Sequence, residues 1–153
     1  MNDRFIKGVI AGTIAGLAKN IPDLFLHNVF RISEKSFWDY ASIIASGRHP
    51  LGLFEHTYSF FFEIIFSIFL GLIYIFLIPY LKTNYNFLRG AIYGGIVWFA
   101  IRAWVVSFQI TPLLQEGRNT MIVNSLLSIL FGIILEWIIQ LLMKKNQHEG
   151  VLG

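Results

Sequence analysis

The chain has 153 residues, of which 56% are hydrophobic and only 14% charged, and its mean hydropathy is +0.63. Soluble domains carry about 25% charged residues, so water is not the solvent for most of this surface, and 15 Phe with 4 Trp would overfill a soluble core of this size. The net charge of +3 does not point to nucleic acid, because the basic residues flank apolar runs and form no tract, and the lack of Cys excludes a disulfide framework or a thiolate metal site while leaving the redox compartment open.

A membrane span needs about 20 mostly apolar residues. The first candidate, about 5–30, is interrupted by Lys19, Asn20, Pro22 and Asp23. Arg4 and Lys7 before an apolar run, with Gly16-Leu17-Ala18 behind it, have the elements of a cleavable leader. The apolar character resumes after Asn20, however, and the run is glycine-striped where a leader is leucine-rich. An uncleaved first span is expected. At about 100° per residue, Gly8, Gly12 and Gly16 share one face with Lys19, Asp23 and His27. Such a glycine stripe lets another backbone approach closely. Pro22 removes a backbone donor and obstructs the carbonyl four residues back, predicting a kink near Ala18.

The long connection 31–52 contains a helix of its own, about 37–46. Ser36 and Asp39 form a capping-box-like start, Phe37, Trp38, Tyr40, Ile43 and Ile44 follow, and Gly47 can end it. Aromatic residues beside charges suit a helix in the membrane interface, or a cap packed on the bundle.

The second span, about 53–81, has no charge from Ile64 to Pro79, and Glu63, His56, Ser59, Ser67 and Tyr74 fall on one face. The third, about 87–110, contains Arg102 near Gly95, Trp98 and Gln109; its Gly94-Gly95 pair suggests close packing. The fourth, about 120–143, sets Asn124, Ser128, Gly132 and Glu136 in an i, i+4 ladder. Short loops at 82–86 and 111–119 predict that consecutive spans pack as antiparallel neighbours. His148 to Gly153 reads as a frayed tail.

The predicted fold is therefore all-α: residues 1–153 form a single transmembrane domain, a polytopic four-transmembrane-helix bundle with a short interfacial helix between spans 1 and 2. Arg4, Lys7, Lys82, Arg89, Lys144 and Lys145 flank one side, against Arg31, Lys35, Arg48 and Arg118 on the other. The basic excess predicts a multi-pass cell-membrane protein with N- and C-termini cytoplasmic.

Ionisable residues inside a span are costly, at about 2.5–3.5 kcal/mol each on insertion scales. At about 1.5 Å per residue, Lys19 and Arg102 lie roughly 18–21 Å from the cytoplasmic ends of their helices. Asp23 and Glu63 then share the outer half of the bilayer, with Asn124 and Ser128 opposite. The expectation is one outer-half network of Lys19, Asp23, Glu63 and Arg102, edged by His27 and His56. Glu136 is too near the cytoplasmic end to join it. Two readings stand side by side: a neutral, paired scaffold that fixes helix register, or a functional pocket lined by the same residues. Helix packing is assigned to Gly8, Gly12, Gly16, Gly94, Gly95 and Gly132.

Asp23, His27, His56 and Glu63 have a spacing that arises easily by chance, and nothing matches a metal, phosphate-loop, dinucleotide or nucleophile motif. No catalytic residue, cofactor or metal is assigned. The Phe37-Trp38-Asp39-Tyr40-Ala41 segment leading to Gly47-Arg48-His49-Pro50, and the Gly94-Gly95-x-x-Trp98 pattern, resemble small four-span bacterial inner-membrane proteins of unassigned function. That resemblance implies the fold and supplies no activity. Three functions fit: binding or translocating a small polar solute or ion through the network; serving as a structural or accessory subunit; or an intramembrane enzyme acting on lipid. The partners expected are the lipid bilayer and either a homo-oligomer mate or another membrane protein, with no nucleic acid.

Overall fold

The computed structural model describes residues 3–81 and 85–149. Lys82 and the end of the chain at 150–153, both used above, lie outside the described residues, as does the side chain of Lys145. The elements are α1 (Arg4–Leu24), α2 (Phe37–Ser46), α3 (Gly52–Leu77), α4 (Asn86–Ser107), the short α5 (Thr111–Leu114) and α6 (Arg118–Glu149), with no strand among the described residues. Four helices are long and apolar enough to cross a membrane: Arg4–Val29, Gly52–Tyr80, Asn86–Ser107 and Arg118–Lys144. The chain is a multi-pass, all-α membrane protein. α6 reaches Glu149, into the stretch expected as tail.

Local chemistry explains the element ends. Asp3 caps α1 by accepting from Phe5 N at 2.8 Å. The helix runs through Pro22 and continues into a π-helical turn, Phe25–Val29, before Arg31 reverses the chain at φ 50. The capping box of α2 is present: Asp39 N donates to Ser36 Oγ at 3.2 Å, and Ser36 N donates back to Asp39 Oδ2 at 2.8 Å. Gly47 ends α2 at φ 76, the left-handed region in which a glycine cap is cheapest.

Small residues choose the helix neighbours. Gly8, Gly12 and Gly16 face Ser67, Leu72 and Gly71 on α3, where a Cβ at Gly12 would lie 2.6 Å from the Ser67 carbonyl oxygen. Gly90 and Gly94 press on Gly132 and the Ser128 carbonyl of α6. Gly95, one residue on, faces only Ile129 Cγ1 at 3.9 Å, so its assignment to close packing is corrected: the pair Gly90/Gly94 is the contact, and Gly95 has turned away. Ala11 and Ala15 of α1 are fully buried beside Phe131, Leu135 and Ile139 of α6.

The packing order is therefore α3–α1–α6–α4. Spans 1 and 2 are neighbours, and so are spans 3 and 4, as expected. Spans 2 and 3 are not, except near the ends joined by their loop. There Tyr93 Oη donates to the Leu70 carbonyl at 2.7 Å and stacks on Tyr74 with ring centroids 4.5 Å apart. Farther along, Phe66, Phe69 and Leu70 face Val97, Trp98 and Ile101. These bulky side chains, with no glycine between them, hold α3 and α4 apart.

α2 closes the other end of this gap as a packed cap. Trp38 meets Phe60 of α3 edge-on at 5.2 Å, while Phe37 and Tyr40 meet Trp98 of α4 at 6.1 and 5.6 Å.

Candidate functional site

The charges of the spans do not form one network. Lys19, Glu63, Arg89, Glu136 and Arg102 enter three separate pairs, each joining different elements, and Asp23 stands apart from them. Lys19 Nζ of α1 lies 2.5 Å from Glu63 Oε1 of α3, with both side chains almost entirely buried. Asn20 Nδ2 donates to Glu63 Oε2 at 2.6 Å, and Ser67 Oγ donates to Oε1 at 3.0 Å. The ammonium also sits 3.7 Å from the ring centroid of Phe37, a cation–π contact that replaces part of its lost hydration. Trp38 Nε1 donates to Asn20 Oδ1 at 3.2 Å, so α2 is tied to the same cluster.

Arg102 does not join this cluster. α4 lies across the gap from α3, and the long Arg102 side chain extends toward the loop end, as a charged head near a membrane boundary does. Its Nη1 donates to the Leu113 carbonyl at 2.9 Å and to Glu116 Oε2 at 3.3 Å, and Tyr40 Oη donates to that same carboxylate oxygen. Among the described residues, Asp23 forms no ion pair within 4.0 Å. Its Oδ2 accepts from Phe37 N at 2.8 Å, capping α2 from a neighbouring helix, and Oδ1 is buried without a hydrogen bond. His27 Nδ1 lies 3.0 Å from the Ser33 carbonyl oxygen, holding the turn after α1. His56 is exposed near the start of α3 and does not edge the Glu63 cluster; two helical turns, about 10 Å, separate them along the axis. Glu136 stands apart, as expected, with Arg89 Nη2 at 2.6 Å, Tyr74 Oη at 2.5 Å and Gln140 Nε2 at 2.7 Å.

Asn124 and Ser128 face inward as the ladder predicts. The Asn124 side chain is fully buried and neither amide atom has a hydrogen bond. Ser128, one turn away, lines a cleft of about 380 Å³ between α3 and α4. Lys19, Glu63 and Ser128 form the polar floor of that cleft; Phe62, Phe66 and Phe69 line one wall, and Val97, Trp98 and Ile101 the other. Phe37, Tyr40, Ala41 and Ile44 of α2 close its loop end. The α3 and α4 residues that flank it, Ile65 and Phe99 among them, are exposed on the outside of the bundle.

No family model, curated protein or solved structure matches the chain.

Asn20, Glu116, Tyr40, Tyr74 and Arg89 are partners of the buried charges that the expected network did not include. Arg89 and Glu136 had a usable signal, since about 1.5 Å per residue sets both a few residues from the same membrane face. Glu116 had none: it lies in a loop, and only the fold brings it to Arg102. Burial raises the Glu116 carboxyl pKa above its ordinary value, against the lowering effects of Tyr40 and Arg102. The Tyr40 phenol is likewise raised, by burial first and then by its carboxylate neighbour.

Proposed function

We propose that this membrane protein is a binding protein for a molecule dissolved in the bilayer, which enters the cleft between α3 and α4 from the side. One observation supports this most directly: a cavity with an almost wholly apolar lining reaches inward to a small polar floor, the usual composition of a ligand site. Translocation of a free polar solute has less support. Lys19 and Glu63 hold each other, and Arg102, the fourth member of the expected network, serves another carboxylate.

The accessory-subunit reading has its own support. Glu63 has all its donors inside the protein, as a register-fixing scaffold requires, and the open side between α3 and α4 could receive a partner's helix or a second copy. The lipid-enzyme reading draws no support from the cleft, whose one carboxylate is committed to Lys19. The charge distribution supports cytoplasmic termini in the cell membrane, with α2 and the cleft in the outer half.

Native mass spectrometry in mild detergent separates the two leading readings. A small-molecule adduct that disappears in the cleft-filling variant Val97→Trp is the expected result. A dimer or foreign subunit without any such adduct would support the accessory role instead.

A further inference from the structure

Granting the cleft as a binding site, its floor states which head group it accepts. Ser128 is 4% exposed and lines the cleft, yet its hydroxyl has no hydrogen-bond partner among the described residues. A hydroxyl that reaches the cleft unpaired is free to donate to a ligand oxygen placed beside it. Lys19 is the second polar group. Its ammonium has three donors, and one is directed to Glu63. A head group whose oxygens accept hydrogen bonds is therefore offered donors by two side chains of the lining.

The charge balance sets the next restriction. Lys19 and Glu63 already cancel, and no other charged group lines the cleft. An anionic head would be drawn to Lys19 only by setting Glu63 against it. A cationic head would compete for a carboxylate that Lys19, Asn20 and Ser67 already occupy. Either ion would leave an unmatched charge in a low-dielectric site. A volume of about 380 Å³ lies at the lower end of small-ligand pockets and suits one chain, not two.

We infer that the cleft binds a single-chain lipophile with an uncharged, oxygen-bearing head, such as a hydroxyl or an ester carbonyl, held by Ser128 Oγ and Lys19 Nζ while the chain lies between Phe66 and Trp98 toward the lipid.

Three probes with the same hydrocarbon chain test this on the purified full chain: monoolein, oleate and oleylamine, each titrated at equal detergent-phase concentration and read as adducts in native mass spectrometry. Monoolein should be retained at least about tenfold better than either ion. Ser128→Ala should weaken monoolein by about fivefold while leaving thermal stability near that of the parent. Equal retention of all three probes, all lost in Val97→Trp, would overturn the neutral-head inference and leave the cleft standing. Adducts that persist unchanged in both Val97→Trp and Ala41→Phe would overturn the cleft itself. Ala41→Phe fills the α2 end of the cleft, so a folding failure of one variant leaves the other to decide. Monoolein retention unchanged by Ser128→Ala would also overturn the assignment of the head to the floor.

Discussion

Glu63 receives Lys19, Asn20 and Ser67, and the pair it makes with Lys19 is almost entirely buried. Removing the cation alone strands a buried carboxylate, whereas removing both charges leaves an apolar contact. Lys19→Met should therefore destabilise the protein by about 3–5 kcal/mol, and Lys19→Met combined with Glu63→Leu should recover most of that loss. Unfolding in mild detergent, analysed as a double-mutant cycle, measures the coupling; additive losses would mean that the pair does not interact. Glu116 behaves differently because it lies outside the spans. Its folded-state pKa is raised above the ordinary 4.5, chiefly by burial, so the folded form holds the proton more tightly than the unfolded chain. Its contribution to stability is then complete below 4.5 and declines as pH climbs through the raised value. Thermal midpoints across that interval should fall with rising pH, and Glu116→Gln should flatten the descent.

At the level of elements, the glycines make the sharpest distinction. A Cβ at Gly94 would meet the Ser128 carbonyl and Ile129 Cα of α6, neither of which can yield without moving a backbone. Gly94→Ala should cost about 1–3 kcal/mol. Gly95→Ala, whose Cβ would make only an ordinary contact with Ile129, should be neutral or stabilising by up to about 1 kcal/mol, since alanine is the better helix former. Equal effects at the two positions would refute the packing described for α4 and α6. The elements themselves were largely legible. Apolar length marked the spans, and Ser36, Asp39 and Gly47 bounded α2, because these signals act within a few residues of chain. The buried face of α1, with Gly8, Gly12, Gly16, Lys19 and Asp23, follows the periodicity, whereas Gly95 and His56 leave the faces read for them. What periodicity does not contain is the identity of the facing partner. Arg102 sits on a polar face at a depth close to that of Lys19, and depth alone assigned it to Glu63. Its choice of Glu116 depends on the cleft that keeps α4 off α3, which is a property of the assembly.

For the whole molecule, the order α3–α1–α6–α4 follows from where the small side chains are, and it leaves one flank open. That flank was not foreseen, because short loops ordinarily bring consecutive spans together. Here the loop joins α3 and α4 at one end, while phenylalanines and Trp98 separate them beyond it. Orientation is the remaining property of the whole chain. With cytoplasmic termini, a cysteine at His49 should react with an impermeant reagent on intact cells and one at Asn146 should not. Ser36, buried as the cap of α2, is unsuited to that experiment.

The pairing of charges also bears on how the chain enters the membrane. Lys19 meets its carboxylate 44 residues later, and Arg89 meets Glu136 after 47. A ribosome that has released only the first span presents the bilayer with an ammonium that lacks its Glu63 partner, where a charge costs about 2.5–3.5 kcal/mol. One that has released spans 1 and 2 presents a hairpin in which that ammonium has met Glu63 and the glycines have met α3. Spans 3 and 4 repeat the arrangement. The chain is thus written as two successive hairpins, each suited to leaving the translocon as a unit, with α1 and α6 meeting only after both have arrived.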